Sequence, residues 1–379
     1  MDYYLISVIV FVGLLAALFY KDRQKIERHY GIVFMRRTQR GRRFIERVAR
    51  SHPRLWAFLG DFGTATGVTA MVYGLYYLAK QALTPKVGPG LALLIPLPSA
   101  QGAQGAGYVG VPFWFFIIGI STLVIIHEGF HGIQVRLAKV PIKSMGLALL
   151  AVIPGAFVEP DDKALRRKSW RTQARVYAAG SFGNFLLAAV AGVLLAFVLS
   201  PVLSTGAIGF SGYVSADAQY PAQKIALPSP ILSIDGTVVE KTEQLAALLA
   251  TKKPGDTVMI ETLGGLQAIT LAANPNDPAK GFLGIAGVHS TRILKDIYRA
   301  NPLGASALNF VLDAIAWIVT LNVGIGLVNM FPIKPLDGGR LMEVLARRFA
   351  PRFAAGVVRV STALVLVLVA LNLFGGLIF

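Results

Sequence analysis

Six stretches of the chain are long and apolar enough to cross a bilayer as helices: roughly residues 3–20, 55–83, 112–137, 176–200, 306–332 and 356–379. A helix needs about 20 such residues to traverse the hydrocarbon core. The second stretch carries Asp61 and several Gly and Thr residues, which suits a helix lining a protein interior. The fourth contains GSFGNF (residues 180–185), whose small residues suit close helix packing. Two other stretches do not follow the helical pattern. Residues 143–160 are apolar but interrupted by Gly146, Pro154 and Gly155, which predicts strands joined by a turn. Non-helical backbone at membrane depth must be buried in protein or border a wet cavity, so this segment is expected to be a re-entrant β-hairpin beside the third span. A surface-lying amphipathic loop is the alternative. Residues 205–290 alternate short β-like runs with one helix at Thr242–Ala250; ILSIDG is a strand ending in a turn, and KPGDTVMIET a turn entering a strand.

The predicted fold class is therefore a mostly α-helical polytopic membrane protein of about six transmembrane helices, with a re-entrant β-hairpin and an inserted α+β domain. Composition supports this, because 15% charged residues are too few to cover the surface of a soluble chain of 379 residues. The net charge of +17 raises nucleic acid as a partner, and its distribution argues against it. Residues 21–54 carry twelve Lys or Arg against three acids, 163–175 carry six and 334–359 six more, whereas 84–111 has only Lys86 and 201–302 is balanced at eight of each. Basic loops stay cytoplasmic, so the alternation predicts an outside N-terminus, cytoplasmic basic loops, an outside insert at 205–290 and an outside C-terminus. The basic excess then reads as orientation and contact with the lipid bilayer. The absence of cysteine excludes disulfides, thiolate metal sites and cysteine nucleophiles. Asp2 precedes the first apolar run and no small-residue cleavage site follows it, so that run is expected to be a retained anchor.

The chemistry is concentrated in HEGFH, residues 127–131, which follows fifteen uncharged residues. Positions i and i+4 share a helix face, so His127 and His131 can hold one metal while Glu128 stands beside it, placed to take a proton from a bound water. Three ionisable residues in five positions of an apolar span are costly and point to function. A zinc hydrolase usually has a third protein ligand, and the candidates are Glu159, Asp161, Asp162, His289, Asp313 and Asp337. His289 lies in the insert, Asp313 lies toward the outer end of the fifth span, and Glu159–Asp162 reads as a solvated turn. Asp337 follows NMFPIKPLDGGR (329–340), where two prolines end a helix and two glycines let backbone come close. His127 would sit about 22 Å into its span at 1.5 Å per residue, level with the cytoplasmic end of the fifth span, so Asp337 can reach it. A helix-terminal turn is the structural alternative for Asp337.

HEGFH in one span, GSFGNF in the next, an insert and NMFPIKPLDGG in a later span together resemble the site-2 protease family of intramembrane zinc metalloproteases, over roughly 112–340. The insert resembles a PDZ domain, with Ser229-Pro230 where such domains usually have Gly-Asp. The resemblance implies one Zn²⁺ per chain held by His127, His131 and Asp337, Glu128 as catalytic base, and Asn329 holding the substrate backbone. It also implies transmembrane protein substrates, often anti-sigma factors or membrane-bound regulators, and a multi-pass location in the cell membrane with the site toward the cytoplasm. The cysteine-free, arginine-rich composition suits a prokaryotic or archaeal membrane. The expected organisation is 1–111 for N-terminal helices and a basic loop, 112–204 for the first part of the catalytic core, 205–290 for the PDZ-like domain, 291–345 for the second part of the core, and 346–379 for a last span. Two rivals use the same features differently: a metal-binding transporter or sensor without hydrolysis, and a scaffold acting through the PDZ-like domain.

Overall fold

The computed structural model describes residues 2–29, 33–38, 40–83, 91–99, 102–105, 107–150, 153–214, 220–225 and 229–374. It resolves into two compact units, one formed by Met1–Gly192 with Asp313–Phe379 and the other by Val193–Leu312.

The first unit opens with α1 (Tyr3–Asp22), capped by Asp2, whose carboxylate accepts from the Tyr4 and Leu5 amides. An antiparallel hairpin of β1 (Ile26–His29) and β2 (Val33–Arg37) follows, then α2 (Arg40–Ser51) and the 31-residue α3 (Pro53–Leu83). Strands β3 (Leu93–Leu97), β4 (Ala103–Gly105) and β5 (Tyr108–Pro112) make a small sheet in the order β3-β5-β4 and lead into α4 (Phe113–Leu137), which carries HEGFH. The expected hairpin is present as β6 (Ile142–Leu150) and β7 (Ile153–Pro160); its turn, 151–152, lies outside the described residues. The basic segment 21–54, read from sequence as a loop, supplies two further strands, so the sheet order is β1-β2-β6-β7. Asp161 caps the short α5 (Asp162–Arg166), accepting from the Ala164 amide at 3.0 Å. Then α6 (Trp170–Val193) continues through a π-helical stretch, Leu194–Leu199, to α7 (Ser200–Leu203).

In the second unit, β8 (Ser204–Gly209), β9 (Gly212–Tyr213), β10 (Ile231–Ile234) and β11 (Thr237–Val238) precede α8 (Thr242–Ala250), the helix expected there. After it come β12 (Thr257–Thr262), β13 (Gly265–Thr270), β14 (Ala272–Asn274), β15 (Asp277–Phe282), β16 (Ile285–Ala286), β17 (His289–Leu294) and α9 (Asp296–Arg299). The main sheet runs β13-β12-β10-β8-β17, with β11 paired to β10. Ile208, Ile231, Ile234, Val258, Ile260 and Ile269 are fully or almost fully buried, because strand alternation points their side chains to one apolar core. The turn after ILSI is made by Asp235 and Gly236, at φ +48° and +77°, the left-handed values a tight hairpin turn requires.

The chain then returns through α10 (Pro302–Asn329), α11 (Asp337–Phe349) and α12 (Ala354–Phe374); residues 375–379 of the last expected span lie outside the described residues. Five helical stretches among the described residues are long and apolar enough to cross a membrane: Tyr3–Lys25, Phe113–Leu137, Trp170–Leu203, Pro302–Asn329 and Ala354–Leu373. The chain is thus a polytopic membrane protein. The remaining expected span, α3, is a continuous helix but is not among the five. Its buried residues are mostly small, Gly60, Gly63, Gly67, Ala70 and Gly74, with Met71 and Leu78 the larger ones. Ala178 and Met330 close on Gly67, where an added Cβ would meet each at 3.1 Å, and Phe331 closes on Gly74 at 2.7 Å. Asp61 is matched by Arg175 of α6 in a two-pronged pair, both contacts 2.6 Å. This helix therefore forms a protein wall behind α6 and the segment that leads to Asp337.

The Asp235 turn yields a pH prediction. Its carboxylate accepts from Lys252 Nζ at 2.6 Å and from the Met259 amide at 2.8 Å, and these contacts hold the carboxyl below its usual range. A depressed folded-state value stabilises the fold above the ordinary carboxylate range, and that contribution is lost as pH falls through the folded value. Asp235→Asn should therefore cost the second unit about 1 kcal/mol at neutral pH, given the turn's exposure. It should also flatten the acid-side loss of protection. Amide exchange of β10 and β12 in the full chain, followed from pH 7 to pH 3, measures both effects.

Candidate metal centre

His127 is the fifteenth residue of α4, about 22 Å along the helix. The register of α4 is fixed from one side by the basic N-terminal segment. Ile45 of α2 fills the notch at Gly132, where an added Cβ would come within 2.8 Å of its Cδ1. Arg136 pairs with Glu46 at 2.5 Å, and Gln134 donates to the Trp56 carbonyl at 2.7 Å. From the other side, Asp337 opens α11, and its position is set by the chain folding tightly on itself. A Cβ on Gly338 would lie 2.2 Å from the Met330 carbonyl oxygen, and one on Gly339 would lie 2.4 Å from the Ile333 carbonyl carbon. Only glycine admits backbone at that distance, which is the physical content of the LDGG sequence.

These constraints bring three ligating atoms to one point. His127 Nε2 and His131 Nε2 lie 3.1 Å apart, and Asp337 Oδ2 lies 3.1 Å from the first and 3.0 Å from the second. Ligands held roughly 2.0–2.1 Å from one tetrahedral zinc stand about 3.3 Å from each other, so this triangle suits a single ion. The surrounding contacts also fit. His131 Nδ1 donates to the Val176 carbonyl at 2.7 Å, which leaves the Nε2 lone pair of the neutral ring facing the triangle. His127 Nδ1 lies 3.1 Å from the buried amide of Asn184, whose Oδ1 has no partner among the described residues. A half-turn of that amide gives the oxygen the Nδ1 proton and frees Nε2 of His127 for a metal. Gly180, one helical turn before Asn184, makes room for both rings: an added Cβ would sit 2.4 Å from His131 Nε2 and 2.5 Å from His127 Nε2.

Glu128 accepts from the Val158 amide through Oε2 at 2.7 Å, so the residue next to the first histidine is tied to the outer edge of β7. Its Oε1 has no hydrogen bond among the described residues. Asn329 ends α10, is half-buried, and has no side-chain partner among the described residues. The other acids considered as ligands are engaged elsewhere or isolated. Glu159 bonds Ser144 at 2.5 Å, Asp161 caps α5, and Asp313 is exposed on α10. His289 Nδ1 contacts the Gly287 carbonyl at 2.9 Å in the second unit. Sequence reasoning took GSFGNF as a packing motif and did not connect Gly180 and Asn184 with the histidines. The available signal was a buried-type amide placed i+4 from a glycine in an otherwise apolar span.

A family model described as peptidase family M50 matches residues 115–368, about two thirds of the chain. An uncharacterized protein of Methanocaldococcus jannaschii is 22% identical over 336 residues, which cover 88% of this chain and 82% of that protein. Zinc metalloprotease Rip3 of Mycobacterium tuberculosis is 32% identical over 140 residues, 34% of this chain and 35% of Rip3. Zinc metalloprotease RasP of Shouchella clausii is 22% identical over 236 residues, 49% of this chain and 56% of RasP. The chain therefore spans about a third of one of these metalloproteases and about half of the other.

The fit of the rings against α6 can be tested without any substrate. Gly180→Ala should drive the imidazoles apart and lower zinc content well below one ion per chain. Asn184→Leu should weaken zinc binding by roughly 10–100-fold, as loss of a ligand's outer hydrogen-bond partner typically does. Metal analysis of the purified variants, with helicity as the folding control, reads both.

Proposed function

The chain belongs to peptidase family M50 and is a zinc metalloprotease of the site-2 type, and from that premise we propose that it hydrolyses peptide bonds within transmembrane segments of other membrane proteins. The observation that carries the proposal is the triangle of His127 Nε2, His131 Nε2 and Asp337 Oδ2, with Glu128 beside it and bonded to β7. In this reading His127, His131 and Asp337 hold the zinc. When bound, zinc supplies a Lewis acid that polarises a carbonyl and lowers the pKa of water to about 7.

The protein's own groups do the rest. Glu128 takes the proton of the attacking water and later delivers it to the leaving amine, a role that requires a carboxylate within hydrogen-bond reach of both. The bond from the Val158 amide to Oε2 fixes one oxygen and leaves Oε1 to exchange the proton. A peptide bond within a helix is shielded, so the substrate must unwind locally, and its freed N–H and C=O groups need partners in a medium without water. The outer edge of β7 offers backbone groups for strand pairing, and the Asn329 amide, which has no partner among the described residues, is proposed to hold a further carbonyl. The basic segments 21–54, 163–175 and 334–359 are assigned to the cytoplasmic side, which puts the site in the cytoplasmic third of the bilayer. The second unit is assigned outside as a PDZ-like filter or spacer. Anti-sigma factors and membrane-bound regulators are the substrate classes that suit such a protease.

A single-span test substrate in detergent tests this reading. The zinc-loaded protein should cleave it, a chelator should abolish cleavage, and added zinc should restore it. Glu128→Gln should keep one zinc per chain while its cleavage rate falls by about 10²–10⁴-fold. Full cleavage by zinc-loaded Glu128→Gln would remove Glu128 as the base.

A further inference from the structure

A polar cavity of about 220 Å³ lies where α5, α6, the segment before Asp337 and α11 come together. Arg166, Tyr177, Lys334, Arg340, Glu343 and Arg347 line it; His127, His131 and Asp337 do not. Glu343 is already shared by Lys334, at 2.5 Å, and Arg347. Arg166 and Arg340 have no carboxylate within ion-pair distance among the described residues, and Arg340 stands over the Tyr177 ring at 5.9 Å from its centre. With Asp162 as the one other acid on the wall, four cations face two carboxylates. Asp162, Arg166, Lys334, Arg340 and Arg347 are exposed, so the cationic excess lines a concavity open to solvent.

Its position along the chain relates it to the proposed substrate path. Strand β7 passes the metal centre at Val158 and ends at Pro160. Asp162 and Arg166, on the next element, form the cavity wall. A segment paired to the β7 edge would cover four residues between Val158 and Asp162 in about 13 Å. Lys334 and Arg340 approach from the other side, three residues before and after Asp337.

We propose that this cavity is a specificity subsite for an acidic side chain in the cytoplasmic flank of the substrate, about four residues from the bond that is cut. The inference rests on the proposed reading of the site as a protease with β7 as its docking edge. The cavity is smaller than the roughly 300–1,000 Å³ of pockets that take drug-sized ligands, which favours one or two carboxylate side chains over a nucleotide. Arg166 and Arg340 supply planar donors for them. A substrate helix unwinding at the metal would be drawn into register by its own flanking acid, so the subsite selects both the protein and the bond.

A charge-swap experiment tests this in the full chain. Three single-span substrates differ at one flank position, about four residues on the cytoplasmic side of the cut: Glu, Gln or Lys. The unaltered protein should prefer Glu to Lys by up to about fivefold in kcat/KM, the upper end of the range open to a partly exposed ion pair. Arg166→Glu should reverse that order, so that the Lys substrate is cut faster than the Glu substrate. Equal cleavage of all three by the unaltered protein overturns the subsite while leaving the protease reading intact; no chelator-sensitive cleavage of any overturns the protease reading itself. The same reactions in vesicles with and without phosphatidylglycerol identify the other anion of matching chemistry. If the Arg166→Glu effect follows the lipid and ignores the flank, the cavity is a headgroup site and the proposal fails.

Discussion

The contact of Asp337 with His127 and His131 is the constraint that the rest of the membrane unit serves. It joins side chains 206 residues apart in sequence at about 3 Å, within an environment where an unpaired ionisable group is costly. Each neighbouring element removes a way of losing that contact. The Gly338 and Gly339 backbone packs against Met330–Ile333, so Asp337 cannot drift along α11. Ile45, Glu46 and Trp56 hold α4 in register from below the histidines, and Gly180 lets α6 close over their rings. The wall formed by α3 then supports α6 and the Met330–Phe331 segment through its own glycine face, which gives this weakly apolar helix a structural purpose.

The hairpin adds a second requirement, because hydrolysis in hydrocarbon needs a place for water and for exposed backbone. Glu128 satisfies both at once: one carboxylate oxygen is fixed by the Val158 amide and the other is left open beside the metal centre. Under the proposed function, the metal chemistry and the docking edge share this one residue. On the far side, the β1–β2 hairpin completes the sheet by pairing with β6, so β6 is covered and β7 is the remaining edge of that sheet facing α4. Unpaired strand edges are normally guarded against; leaving one here is consistent with its use for an extended substrate.

Much of this was legible in the sequence, and what was missed has a common cause. Long apolar runs marked α1, α4, α6, α10 and α12, because hydrophobicity over about 20 residues is a strong local signal. The breakers at Gly146, Pro154 and Gly155 marked the hairpin, and Thr242–Ala250 marked α8. The approach of Asp337 to the histidines followed from depth arithmetic and loop charge. The strands β1 and β2 were missed because IERH and VFMRR carry no alternation of their own; they are strands because β6 offers a partner. The strands β3, β4 and β5 are likewise defined by pairing. Asn184 lies within GSFGNF, which reads from sequence as a packing motif, and its contact is with a ring 57 residues away, which no local pattern reports. The Arg166–Arg340 cavity is hidden from the sequence for the same reason, since it gathers charges from three separate segments.

The central claim is that peptide bonds are cut at the depth of the His127–His131–Asp337 triangle. The most direct measurement reconstitutes the zinc-loaded protein with a single-span substrate in liposomes and maps the new chain termini by mass spectrometry. The account predicts termini inside the substrate's apolar segment, in its cytoplasmic third, with none in the flanking loops. Termini confined to the loops outside the apolar segment would contradict it.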